Sequence, residues 1–147
     1  MNAVVNHSVV LLVVEDNPAD VVFFREAMEA TRTPSTLHVV GDGGEAMRFL
    51  RREAPYADAP RPDVIVLDLN LPIKKGQEVM KEMAGDPALK GIPVAVLTTS
   101  TSEAWVCDIY PRGSCLYFIK TDDFTQLQEI VRQIVAYGKT SREERGA

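Results

Sequence analysis

The stretch Val9-Val-Leu-Leu-Val-Val-Glu-Asp-Asn-Pro18 decides the fold. Six aliphatic residues in a row, with no polar alternation, specify a strand covered on both faces, the situation of a central strand in a parallel sheet. The run stops at two carboxylates. Asn17-Pro18 then supplies a helix cap and a first helical position with proline's fixed φ. Val21, Phe24, Ala27 and Met28 recur at spacings of three and four, so a helix follows the strand directly.

Working outward, the same alternation repeats. Thr36 to Val40 reads as a second strand, Gly41-Asp-Gly-Gly44 as a turn, and Ala46, Phe49 and Leu50 as the inner face of a second helix. Residues 54–62, with three prolines, form a loop. Val64-Ile-Val-Leu67 is the third strand, closed by Asp68-Leu-Asn-Leu-Pro72 and followed by helical spacing from Gly76 to Met83. Pro93-Val-Ala-Val-Leu97 is the fourth strand and runs into the hydroxyl series Thr98 to Ser102. A short fourth helix over 102–110 carries Trp105 as a packing residue, Leu116-Tyr-Phe-Ile119 is a fifth strand ending at Lys120, and the last helix runs from Thr125 to Tyr137. The prediction is an α/β chain: a doubly wound, five-stranded parallel sheet with five helices and right-handed crossovers. One domain spans 8–138, with flexible ends at 1–7 and 139–147.

A net charge of −5 over 147 residues excludes the basic face that duplex binding needs, so no nucleic-acid partner is expected. The run 9–14 is too short to span a membrane, and no basic segment precedes it as in a signal peptide, so no membrane partner is expected either. Cys107 and Cys115, without a second pair or a nearby His, fit neither a zinc site nor a disulfide framework and read as thiols of a reducing compartment. The expected location is cytoplasmic.

In parallel α/β sheets ligands bind outside the carboxyl ends of the strands. Here those ends carry Glu15-Asp16, Asp68, Thr98 and Lys120. Singly, each has a plain alternative as a helix-terminus charge, a turn residue or a cap. Together, three acids, a hydroxyl and a lysine on one rim outweigh those alternatives. Crowded carboxylates repel unless a cation is shared, and carboxylate, carbonyl and water ligands suit magnesium. Thr98 and Lys120 suit a phosphoryl oxygen. Asp68, between the other sets, is the candidate nucleophile, able to form an acyl phosphate.

These residues resemble the receiver domain of bacterial two-component response regulators. Glu15-Asp16-Asn17-Pro18, Asp68-Leu-Asn-Leu-Pro72, Thr98 and Lys120 match its motifs, with Thr98 30 residues after Asp68 and Lys120 22 after Thr98. More narrowly, Val14-Glu-Asp-Asn-Pro-Ala-Asp20, Leu67-Asp-Leu-Asn-Leu-Pro72 and Leu97-Thr-Thr-Ser100 are similar to the single-domain regulators that serve bacterial phytochromes. The resemblance implies the flavodoxin-like receiver fold, a histidine kinase as partner, and Asp68 as phosphoacceptor. It implies Mg2+ held by Asp16, Asp68 and the Asn70 carbonyl with Glu15 assisting through water. It further implies Thr98 and Lys120 on the phosphoryl group, and Thr98 and Tyr117 as the switch pair. Thr121 departs from the family pattern, standing where a proline usually makes a cis peptide after the lysine. Lys75 departs too, replacing the acid usual before Gly76.

Two further expectations complete the reading. The last helix spreads Phe124, Leu127, Ile130, Val131, Ile134, Val135 and Tyr137 over about 160°, wider than the roughly 100° that core packing requires. That width points to a homodimer through this helix; the alternative is a helix deeply tucked into its own core. A magnesium phosphohydrolase working through an aspartyl phosphate is the enzymatic alternative, but Asn70 stands where its general acid/base would be. A flavodoxin-like electron carrier is disfavoured because Glu15 and Asp16 would repel the cofactor phosphate.

Overall fold

The computed structural model describes residues 8–146, with side-chain environments through residue 144. Residues 1–7, expected to be a flexible end, lie outside the described residues. Five strands, β1 (Val9–Val14), β2 (Ser35–Val40), β3 (Val64–Leu67), β4 (Val94–Thr98) and β5 (Cys115–Ile119), form one sheet in the order β2-β1-β3-β4-β5. Every pairing is parallel, with Val14 opposite Leu67 and Thr98 opposite Ile119. The order reverses between β1 and β3, which places the topological switch point beside Glu15 and Asp68.

The helices divide between the faces. On one side α2 (Gly43–Leu50), α3 (Gly76–Ala84) and a 3-10 helix (Ala104–Ile109) cover Leu12, Ile65, Leu67, Val94 and Val96. On the other, α1 (Pro18–Thr31) and α4 (Phe124–Gly146) cover Leu11, Val13, Val64, Val66 and Ala95. Strands β1, β3 and β4 are buried on both faces, as their unbroken apolar runs require. The Asn17 side chain accepts the Ala19 N–H at 2.9 Å, the cap read from Asn17-Pro18.

Four expectations need correction. The fourth helix is a single 3-10 segment; six residues leave little room for α-type bonding, and Pro111 stops it. Trp105 on it is 52% exposed, while Val106 fills the core instead, so Trp105 is not a packing residue. The last helix does not end at Tyr137 but continues to Gly146, making the expected flexible end helical. Gly138 permits the continuation, because a Cβ there would come within 2.9 Å of Val9 and Val64 side chains. Arg142, one turn on, donates to the Ser8 carbonyl and lies 3.5 Å from the buried Asp63 carboxylate. Finally, Cys107 and Cys115 are joined in a disulfide, with Cα atoms 5.3 Å apart. The chain reversal at Pro111–Ser114 brings the 3-10 helix back beside β5, a proximity that sequence spacing alone does not reveal.

The apolar arc of α4 is largely spent inside the molecule. Leu127, Val131, Ile134 and Val135 are buried, Ile130 and Tyr137 are partly buried, and Phe124 is exposed with its ring against Phe23.

Candidate functional site

The ladder bonds continue past the strands and carry the polar residues to a common rim. Glu15 N–H donates to the Val40 carbonyl at 3.0 Å, Asp68 N–H to Val14 at 3.1 Å, and Lys120 N–H to Thr98 at 2.7 Å. The β3–α3 loop is fixed from behind by Gly76, whose N–H bonds the Leu69 carbonyl at 3.2 Å. A Cβ at Gly76 would fall 2.6 Å from the Asp68 carbonyl oxygen, so only glycine allows α3 to start this close to the strand end.

Glu15 and Asp68 are 8% and 6% exposed, whereas Asp16 faces solvent. One carboxylate oxygen from each of Glu15, Asp16 and Asp68 lies within 4.8 Å of the others. Three hard oxygen donors converging at a solvent-open rim fit a divalent cation that keeps part of its water. Lys120, just past the end of β5, reaches the same rim. Its ammonium lies 2.6 Å from Glu15 Oε1, 2.8 Å from Asp20 Oδ2 and 2.9 Å from Asp68 Oδ2. The remaining oxygens of the two buried acids accept backbone N–H groups, Glu15 from Asn17 at 3.1 Å and Asp68 from Asn70 at 3.1 Å.

The electrostatics follow. Burial pushes the Glu15 carboxyl above its ordinary range, with the Asp68 charge adding to the rise, against the opposing bonds from Lys120 and Asn17. Burial works against the charge of Lys120 as well, but its bonds to Asp20, Glu15 and Asp68 outweigh that cost and hold its ammonium well above the usual lysine range. Three carboxylates share the one ammonium and Asp16 adds a fourth acid beside them, so the rim keeps a net negative charge when all are ionised and still attracts a cation.

Thr98 is fully buried at the end of β4, and its Oγ1 accepts the Ser100 N–H at a long 3.4 Å. The Tyr117 hydroxyl donates to the Ser100 carbonyl at 2.6 Å. Thr98 and Tyr117 are thus joined through one residue. Asn70 is exposed beside Asp68, and its own N–H is the group that bonds the Asp68 carboxylate. Where the usual proline is missing, the Lys120–Thr121 peptide is trans. Thr121 organises the loop instead: its hydroxyl lies 2.7 Å from Gln126 Oε1 and accepts the Asp123 N–H at 3.1 Å. Lys75 sits exposed at the start of α3 without a side-chain cap bond.

Sequence reasoning missed Asp20. It falls in the first turn of α1, where an acid ordinarily reads as a favourable helix-terminus charge. The fact that sets it apart is the contact with Lys120, 100 residues away.

The fold and this rim define a class of protein, the phosphoacceptor receivers of two-component signalling. The Response regulator receiver domain model matches residues 11–132, and the chain belongs to that family. It is a response regulator, a signalling protein. It is 39% identical over 128 residues to the response regulator Rcp1 of Synechocystis sp., covering 87% of each chain. Among solved structures it is similar to the phosphorylated cyanobacterial phytochrome response regulator RcpA, at 44% identity and a TM-score of 0.77, covering 87% of this chain and 91% of that one. It is also similar to the Mn2+-bound form of Rcp1, at 38% identity and a TM-score of 0.75 over 85% and 90% of the two chains. Among the described residues, no helix is long and apolar enough to cross a membrane.

Proposed function

We propose that the chain is a stand-alone response regulator that accepts a phosphoryl group on Asp68 from a phosphohistidine of a phytochrome kinase, using Mg2+, and signals by changing its surface. The observation that carries this reading is the arrangement around Asp68, with one oxygen toward the Lys120 ammonium and the carboxylate within the trio formed with Glu15 and Asp16. Likeness to regulators named for phytochromes supports the choice of kinase.

In the transfer, an Asp68 oxygen attacks phosphorus, the phosphorus–nitrogen bond breaks, and the imidazole leaves and takes a proton. Mg2+ held by Asp16, Asp68 and the Asn70 carbonyl, with Glu15 assisting through water, would neutralise charge on the transferred group. Lys120 supplies a second positive charge, and Thr98 a hydroxyl proton, which the bond it accepts from the Ser100 N–H does not occupy. Because Tyr117 holds the same Ser100, movement of Thr98 reaches the aromatic ring and the edge strand β5. The partly exposed Ile130 and Tyr137 of α4, with the exposed Trp105 of the 3-10 helix, are the surface for a homodimer through the last helix. Monomer alone in sedimentation at high concentration, with and without a phosphate analogue, removes that part. We place the protein in the cytoplasm, the compartment that supplies a kinase with its phosphodonor; Cys107 and Cys115, being bonded to each other, lend that location no support.

Incubation with Mg2+ and a small acyl phosphate, followed by intact mass, tests the reading. One labile phosphoryl adduct, absent in Asp68→Asn, supports it. Continuous phosphate release from many phosphomonoesters, without an adduct, would mean the phosphohydrolase alternative.

A further inference from the structure

We propose that Asp20 is a positioning residue that holds the Lys120 ammonium over the rim while Glu15 and Asp68 are engaged elsewhere. The inference rests on the phosphoacceptor reading above. An ammonium has three N–H donors. Those of Lys120 meet three carboxylates, Glu15, Asp20 and Asp68, at 2.6–2.9 Å. Two of these acceptors have a second claim on them, since Glu15 and Asp68 belong with Asp16 to the trio facing a divalent cation. Asp20 does not belong to that trio. When the cation draws on Glu15 and Asp68, and Asp68 becomes an acyl phosphate, Asp20 is the acceptor whose hold on Lys120 is unaffected.

The backbone suits that role. Asp20 lies in the first turn of α1, which Pro18 and the Asn17 cap fix in place: Asn17 accepts Ala19 N–H through its side chain at 2.9 Å and Val21 N–H through its carbonyl at 3.1 Å. The carboxylate lines the same cavity as Glu15, Asp68, Lys120 and Thr121, against Phe23 and Leu97. At 40% side-chain exposure it can be changed without opening the core. The remaining donors of Lys120 are then free to pass from the Asp68 carboxylate to the phosphoryl oxygens.

The test uses the full chain and the variants Asp20→Ala and Asp20→Glu. In protein labelled with 15N-lysine, the Lys120 ammonium resonance is followed on addition of Mg2+ alone, with no phosphodonor. The proposal expects a sharp, ordered signal in the wild type, its broadening in Asp20→Ala once Mg2+ is added, and its return in Asp20→Glu. Phosphorylation by acetyl phosphate at saturating Mg2+ should slow about tenfold in Asp20→Ala, the order expected for one charge-assisted hydrogen bond at a partly exposed acceptor, while Mg2+ affinity stays within about twofold. A Lys120 signal indifferent to Asp20→Ala overturns the proposal. So does a fall in Mg2+ affinity as large as the fall in rate, which would make Asp20 part of the cation site. A wild type that takes no phosphoryl group contradicts the phosphoacceptor reading instead, and the Mg2+ titration still decides the role of Asp20.

Discussion

Removing the cation at the rim is the most informative perturbation. In Lys120→Ala, Glu15 and Asp68, both less than a tenth exposed, keep their backbone donors but lose the ammonium at 2.6 and 2.9 Å. Stripping one partner from a buried pair costs about 3–5 kcal/mol. Asp20 is 40% exposed and recovers hydration, and water can fill the space left by the side chain, so we expect about 2–3 kcal/mol near neutral pH without metal. For a chain of this size that lowers Tm by roughly 5–10 °C.

The pH dependence has a definite sign. The Glu15 carboxyl is already raised in the folded state, and removing Lys120 raises it further. A carboxyl with a folded pKa above its unfolded value costs stability as pH rises through the folded pKa, so the deficit of Lys120→Ala should shrink near pH 5 and grow toward pH 8. A divalent cation supplies the missing charge and should raise Tm more in the variant than in the wild type. Scanning calorimetry at pH 5 and 8, with and without Mg2+, gives all four values. An equal deficit at both pH values, with no larger metal shift in the variant, would refute the electrostatic account of the rim.

Other outcomes follow from single contacts. Gly76→Ala forces a Cβ against the Asp68 carbonyl and Leu69 Cα, and should cost at least about 2 kcal/mol in urea unfolding while lowering Mg2+ affinity. Ile73 has φ +67° and is 88% exposed, so Ile73→Gly relieves roughly 1–2 kcal/mol of left-handed strain, partly offset by glycine's chain entropy, and should raise stability by up to about 1 kcal/mol. Reducing the Cys107–Cys115 bond frees a short loop worth about 2–3 kcal/mol by chain entropy, and should lower Tm by roughly 5–10 °C, with Cys107→Ser insensitive to reductant. The raised ammonium pKa of Lys120 contributes stability in full below its unfolded value of 10.5 and loses it as pH climbs through the folded value, so alkaline unfolding should begin earlier in Asp20→Ala than in wild type.

What the chain states openly is the sheet. Short, β-branched apolar runs bounded by turn residues, such as Val64–Leu67, read as strands covered on both sides, and the polar residue that closes such a run lies at its carboxyl end. That logic reached Glu15, Asp68, Thr98 and Lys120 without coordinates. It could not reach Asp20, because its partner Lys120 is on another strand and local position alone gives the acid a sufficient explanation. The disulfide was hidden for a related reason: its closeness depends on how Pro111 and Gly113 turn the chain. The continuation of α4 past Tyr137 depends on a tertiary contact, since the missing side chain of Gly138 allows the helix to lie against Val9 and Val64. The Thr98–Ser100–Tyr117 connection depends on side-chain direction, which composition does not encode.

The proposed function stands on Asp68 as the residue that takes the phosphoryl group. The direct measurement is to treat the chain with Mg2+ and acetyl phosphate, reduce the acyl phosphate with borohydride, and map the peptides. Homoserine is expected in place of aspartate at position 68 and nowhere else, dependent on the divalent cation. Reduction at Asp16 or Asp20 instead, or a phosphoryl group stable to borohydride on Thr98 or Ser100, would contradict it.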